Sequence, residues 1–237
     1  VVLLCIICSA LIGAAWAFIP GYLQAKRGSH VVITTIMFNF LASSLMVYLL
    51  AGPLIQLGQQ SPQSDLIPES AQLASFETFF SLFGIDITSS PLNLSFLLAL
   101  FALFVFWVLI WKTRLGYEIR AVGKNQDAAN YAGINVPKII IITMTISGAF
   151  AGLLAVNEVM GVQHRAILNF TAGYGFTGIA VALMGRNHPV GIFFASLLFG
   201  ALFQGGAELD FEFQSITRDM VLLIQGMIIL FSGALAY

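Results

Sequence analysis

Apolar residues run along this chain in blocks. Seven stretches contain no Asp, Glu, Lys or Arg: 1–19, 31–51, 92–111, 139–157, 166–185, 189–207 and 220–237. Each holds 18 to 21 residues, close to the ~20 apolar residues a helix needs to cross a ~30 Å hydrocarbon layer. Polarity does not alternate within them. Leu97-Leu98-Ala99-Leu100-Phe101-Ala102-Leu103-Phe104 is an unbroken apolar run, whereas a membrane β-strand of ~10 residues switches polarity at every step. Lipid offers the backbone no hydrogen-bond partners, so the stretches are expected to be helical. The pattern predicts an all-α polytopic membrane protein, with about seven transmembrane helices in one domain over 1–237.

Composition points the same way. Hydrophobic residues make up 59% of the chain and charged residues 9%, against roughly 45–50% and about 25% in a soluble domain. All 21 charged side chains lie outside the seven stretches. A soluble enzyme is excluded.

Orientation follows from the basic residues, which collect in cytoplasmic loops. If the loops alternate, Lys26, Arg27, Lys112, Arg114, Arg120, Lys124, Lys138 and Arg186 fall on one side and only Arg165 and Arg218 on the other. Segments 20–30, 112–138 and 186–188 are therefore expected in the cytoplasm, with the Val1 end outside. The start at Val1 has no basic flank of the kind a signal peptide carries, and Tyr237 ends an apolar stretch, so a piece of a longer membrane protein is expected.

Two loops are long enough for work of their own. The outer loop, 52–91, lacks Lys and Arg and is punctuated by Pro53, Pro62, Pro68 and Pro91; within it, Ala74 to Ile87 is apolar enough for a short helix at the membrane surface. It reads either as a docking surface or as a packed lid. The inner loop, 112–138, holds five of the ten basic residues. Its Asn125 to Gly133 segment predicts one short helix, with Asn125 as N-cap, Asp127 in the first turn, Ala128 and Ala129 as strong helix formers, and Gly133 in a left-handed C′ position. Such a helix makes a rigid knob on the cytoplasmic face.

Several motifs lead nowhere chemically. Gly173-Tyr174-Gly175-Phe176-Thr177-Gly178 has dinucleotide-loop spacing, but lies inside an apolar stretch with no acidic residue until Glu208. Cys5 and Cys8 have CxxC spacing without a second pair, and His30, His164 and His188 fall in different loops. These give no metal site and no cofactor bound by this chain. No phosphate-binding Gly-x-x-x-x-Gly-Lys-Ser/Thr loop is present, so any ATP must be bound by another chain. The apolar stretches contain no reactive constellation and no ionisable group of the kind proton-coupled carriers bury.

Their sparse polar side chains are Thr34, Thr35, Asn39, Asn157, Gln204 and Gln225. Such uncharged groups suit a path for a neutral polyhydroxyl or nucleobase-bearing solute, or equally serve as interhelical hydrogen bonds. Thr35, Asn39, Asn157, Tyr174 and Gln204 are the candidate path residues. Gly148 and Gly152 form a GxxxG step suited to close helix packing.

Three segments carry a family resemblance. These are Arg114-Leu115-Gly116-Tyr117-Glu118-Ile119-Arg120-Ala121-Val122-Gly123-Lys124-Asn125 with its continuation to Ile134, Thr34-Thr35-Ile36-Met37-Phe38-Asn39, and Gly175 through Gly185-Arg186-Asn187-His188-Pro189. The chain resembles bacterial ABC importer permeases of the branched-chain amino acid and simple-sugar superfamily, most of all the nucleoside and simple-sugar subgroup. The resemblance implies a multi-pass protein of the bacterial plasma membrane, working with an ABC ATPase, a second permease subunit of the same or another kind, and an extracellular solute-binding lipoprotein, without nucleic acid. It implies that Gly123, Asn125, Asp127, Ala128, Ala129 and Gly133 belong to the coupling helix seated on the ATPase. A nucleoside is the expected solute; a simple sugar or branched-chain amino acid, or an ATP-independent channel or secondary carrier, are the alternatives.

Overall fold

The computed structural model describes residues 1–56, 58, 61–76, 92–171, 173–212 and 218–235. They divide into two units, Val1–Phe170 and Thr171–Tyr237. The surface helix expected over 74–87 lies outside the described residues except for its first three positions.

The first unit is built on α1 (Val2–Arg27) and α6 (Val136–Ala155). Apolar side chains gain nothing from leaving lipid for one another, so helices associate where small residues let backbones approach. On α1, Ser9, Gly13, Ala17 and Gly21 recur every four residues and line one face. They meet Gly152, Gly148 and Met144 of α6 in antiparallel order. The Ser9 hydroxyl donates to the Gly152 carbonyl at 2.5 Å. A methyl on Gly13 would overlap the Gly148 carbonyl oxygen, and one on Gly148 would overlap Gly13 and Ala17. The GxxxG step is thus half of a seam whose other half is on α1.

At one end of this pair, Val2, Cys5 and Ile6 pack with Leu73, Val156 and Met160. The outer-loop backbone closes over the same end: Ser64 N–H donates to Ala166 O, Ile67 N–H to His164 O, and Leu73 N–H to Met160 O. At the other end α1 finishes with Lys26, Arg27 and a left-handed Gly28, favourable charges beside the helix C-terminus. α2 (Val31–Ala51) and α3 (Ser95–Lys112) complete the long helices of this unit. Their exposed side chains include Phe40, Leu41, Tyr48, Phe101 and Phe104, a surface suited to lipid.

The second unit contains α7 (Tyr174–Met184), α8 (Pro189–Glu212) and α9 (Arg218–Leu235), with Val181, Ala195 and Phe199 at its core. The α7–α8 corner is tight. Arg186 and Asn187 both take left-handed backbone, φ 52° and 54°, a conformation that costs roughly 1–2 kcal/mol per residue where it is not glycine. Asn187 N–H donates to Ala182 O at 2.9 Å and closes the turn.

Among the described residues, five helical segments are long and apolar enough to cross a membrane: Val2–Arg27, Val31–Ala51, Ser95–Lys112, Val136–Val162 and Pro189–Glu208. The continuous span expected over 166–185 is corrected. Among its described residues only 11 are α-helical, about 16 Å of helix, roughly half the hydrocarbon thickness. Residues 166 and 167 pair instead with Ser64 and Gln63 of the outer loop, and Asn169 (φ 59°) and Gly173 (φ 80°) turn the chain. An uncharged stretch is not necessarily a helical one. The cytoplasmic placement of 186–188, which counted this stretch as a full crossing, now rests on the positive charge of Arg186.

Replacing Gly152 with Leu is predicted to remove most folded protein, because overpacking a seam with no room costs ~1–3 kcal/mol or more. Gly200→Ala, at a glycine with open space around it, should retain the wild-type melting temperature. Thermal aggregation in detergent, read by fluorescence-detected gel filtration, compares them.

Candidate functional site

The inner loop folds as two abutting helices between α3 and α6, with caps that leave no slack. Thr113 separates α3 from α4 (Arg114–Lys124), and its Oγ1 accepts from Gly116 N–H at 3.1 Å. This helix is absent from the sequence-based expectation, which began at Asn125. Gly116 is buried against the end of α3, where a side chain would overlap the Leu109 and Ile110 carbonyls. Lys112 lies over the Trp107 ring at 5.3 Å and Arg120 over Trp111 at 4.7 Å, tying the basic surface to aromatic side chains near the helix end. The Arg114–Glu118 ion pair, 3.1 Å long with the arginine 92% exposed, contributes little.

Asn125 then caps α5 (Gln126–Tyr131), its Oδ1 accepting from Ala128 N–H at 3.0 Å. Asp127 stands in the first turn, as the charge pattern requires. Gly133 takes φ 83°, and Ile134 N–H reaches back to Ala129 O at 3.0 Å, the six-to-one bond of a glycine-terminated helix. Asn135 caps α6 in turn, accepting from Lys138 N–H.

Ala129 and Ala128 have different roles despite being neighbours. Ala129 is buried with Val122 and Ile139, so it fastens α5 to α4 and to the foot of α6. Ala128, Asp127, Gly123 and Asn125 lie on the open surface with Tyr131, which is 97% exposed.

The candidate path residues divide between the units. In the first, the Thr35 hydroxyl donates to Val31 O and Val32 O of its own helix, and Thr34 to His30 O. Asn39 is exposed in the middle of α2, and Ser43, one turn on and also exposed, extends the polar face that Thr35 begins. In the second, Tyr174 packs edge-on to Phe203 at 6.4 Å, Gln204 donates to Glu208 at 3.1 Å, and Gln225 is buried.

Asn157 sits in the most elaborate of these environments. Past Ala155, α6 continues as a π-helical turn, Val156–Val162, a form that concentrates at functional sites. Asn157 Nδ2 donates to Glu158 Oε1 at 3.0 Å, and its Oδ1 faces the Ser95 hydroxyl, which also contacts Asn93 Oδ1. Asn93 and Glu158 are buried. A cavity of about 590 Å³ adjoins this cluster, lined by Asn93, Ser95 and Asn157 at one end and by Phe96, Phe150 and Leu154 among its apolar walls.

Glu158 corrects the expectation that no spanning helix holds an ionisable group. The uncharged stretch ends at Asn157, yet the helix runs through Val162, and an asparagine beside the carboxylate supplies the hydrogen bond that burial demands. Among the described residues, no three His, Cys, Asp or Glu side chains converge as metal ligands.

Comparison with known proteins agrees with this architecture. The family model described as branched-chain amino acid transport system / permease component matches residues 1–233. The chain belongs to this family. A guanosine ABC transporter permease of Bacillus subtilis, NupP, is 39% identical over 96% of the chain and 63% of its own length. A nucleoside ABC transporter permease of Lactococcus lactis subsp. cremoris, NupB, is 37% identical over 96% and 62%. A glucose ABC transporter permease of Haloferax volcanii, TsgB13, is 37% identical over 92% and 57%. The chain thus spans about three-fifths of the length of these relatives. No solved structure matches it. Family membership and the spanning helices make it a multi-pass protein of the plasma membrane.

The two alanines generate a paired prediction. Ala128→Glu should leave membrane insertion and folded yield unchanged, because Ala128 lies on the open surface. Ala129→Glu should lower folded yield itself, because it places a carboxylate among Val122 and Ile139. Gel-filtration yield separates the two.

Proposed function

We propose that this chain is the membrane permease of an ATP-driven ABC importer that carries nucleosides into the cell. The observation that carries the reading is the capped pair α4–α5, fastened through Ala129 to the foot of a helix that continues to the opposite end of its unit. A passive connector of the same length has no use for consecutive Thr113, Asn125 and Asn135 caps. ATP hydrolysis is assigned to a separate ATPase chain seated on the Ala128–Tyr131 surface, and this chain binds no cofactor. The similarity to the guanosine and nucleoside permeases supports the choice of solute.

An extracellular solute-binding lipoprotein docks on the outer face, and a second permease completes the pair. Asn39 supports the latter: an exposed amide in the middle of a span is costly in lipid, and a neighbouring subunit or an aqueous path between subunits removes that cost. The ATPase and the receptor drive transport by each binding one conformation more tightly than another.

Two observations favour second readings. The similarity to the glucose permease favours a sugar, and the buried Glu158 is a group that a proton-coupled carrier would use. Uptake of labelled guanosine, adenosine, cytidine, ribose, glucose and leucine, in cells lacking the full-length gene and in restored cells, tests all three. ATP-dependent rescue of nucleoside uptake at a clamped membrane potential is the expected result. Rescue of a sugar replaces the solute, and uptake that follows a proton gradient after ATP depletion overturns the importer.

A further inference from the structure

The Asn93–Ser95–Asn157–Glu158 cluster is more polar than its surroundings require. The Ser95 hydroxyl has one proton and faces two amide oxygens. Asn93 Oδ1 already accepts from the Ser95 backbone N–H at 3.0 Å, which leaves the hydroxyl proton to Asn157 Oδ1 and one further lone pair on that amide oxygen for a second donor. Its orientation is set from behind, where Nδ2 donates to the Glu158 carboxyl oxygen and so turns Oδ1 the other way. Asn157 lines an open cavity, so that second acceptor position is available to a molecule held there.

That cavity has the size and the division of surface that an amphiphilic small molecule requires. About 590 Å³ falls within the ~300–1,000 Å³ of small-molecule sites. One end offers amide and hydroxyl groups; the walls offer Phe96, Phe150, Leu98 and Leu154. A nucleobase has flat apolar faces and N–H groups at its edge, and ribose adds hydroxyl donors. A lipid tail would match the walls and bring no donor to the polar end.

We propose that this cavity, between α3 and the π-helical end of α6, is a nucleoside subsite of the transport path. In it Asn157 and Ser95 receive the solute's N–H or O–H groups, Phe96 and Phe150 flank the base, and Glu158 is a positioning residue that aims the Asn157 amide. The assignment rests on the nucleoside reading above and adds the side chains that recognise the solute.

The test uses the full-length permease with its ATPase and receptor. Asn157→Leu should lower guanosine uptake about tenfold at subsaturating solute, the loss of roughly one well-made hydrogen bond. Glu158→Leu should do the same, whereas Glu158→Gln, whose carbonyl still accepts from Asn157 Nδ2, should restore uptake to within about twofold. A second measurement does not depend on turnover. With Cys5 and Cys8 replaced by alanine, Ala99→Cys on the cavity wall should be alkylated by N-ethylmaleimide, and saturating guanosine should slow that reaction, but not when Asn157→Leu is also present. Absent labelling, labelling indifferent to guanosine, or unchanged uptake by Asn157→Leu overturns the subsite. If the wild-type transporter imports guanosine while these variants behave like it, only the subsite fails. If the wild type imports no nucleoside, the proposed function fails and the nucleoside assignment of the cavity with it.

Discussion

Close contact between the backbones of α1 and α6 is the constraint on which the first unit depends. Lipid removes the usual reason for helices to pack, leaving dispersion, hydrogen bonding and shape. The seam answers with small residues on both sides, Ser9, Gly13, Ala17 and Gly21 against Gly148 and Gly152, and with a hydroxyl on a backbone carbonyl. Dispersion falls off steeply with a gap of even 0.5–1 Å, so a single methyl at the crossing weakens the whole contact.

With α1 as its brace, α6 serves as a beam with something different at each end. Its foot carries Ile139, packed with Val122 and Ala129, so displacement of the α4–α5 knob is felt in the span. Its head opens into the π-helical turn, where Val156 and Met160 join the outer core and Asn157 and Glu158 join Ser95 and Asn93. One continuous element therefore links the surface assigned to the ATPase with the cavity assigned to the solute. Spatial continuity makes transmission possible; a two-state equilibrium biased from both ends would make it allosteric.

Much of this was legible in the residues, and the failures share one cause. Charge-free stretches located the long helices, and the Asn125, Asp127 and Gly133 pattern located α5, because caps are local chemistry. Absence of charge proved a weaker guide to helix ends. It stopped α6 at Asn157, although a neighbouring amide lets Glu158 remain inside the helix, and it extended helix over 166 and 167, where the backbone pairs with the outer loop. The α4 helix went unread because its stability depends on packing against α3 and α6 more than on any cap that announces it. Asn157 stands out as polar in an apolar stretch; the cavity beside it is a tertiary property that the local pattern does not encode.

The seam's central place is tested most directly by a double-mutant cycle on Gly13→Ala and Gly148→Ala, with unfolding measured in mild detergent. Each added methyl claims the same gap, so once one has separated the helices the second finds room. The account predicts that each single change destabilises, and that the double variant loses less than the sum by about 1 kcal/mol. Strictly additive losses, or either alanine without effect, would contradict the direct contact on which α6 depends.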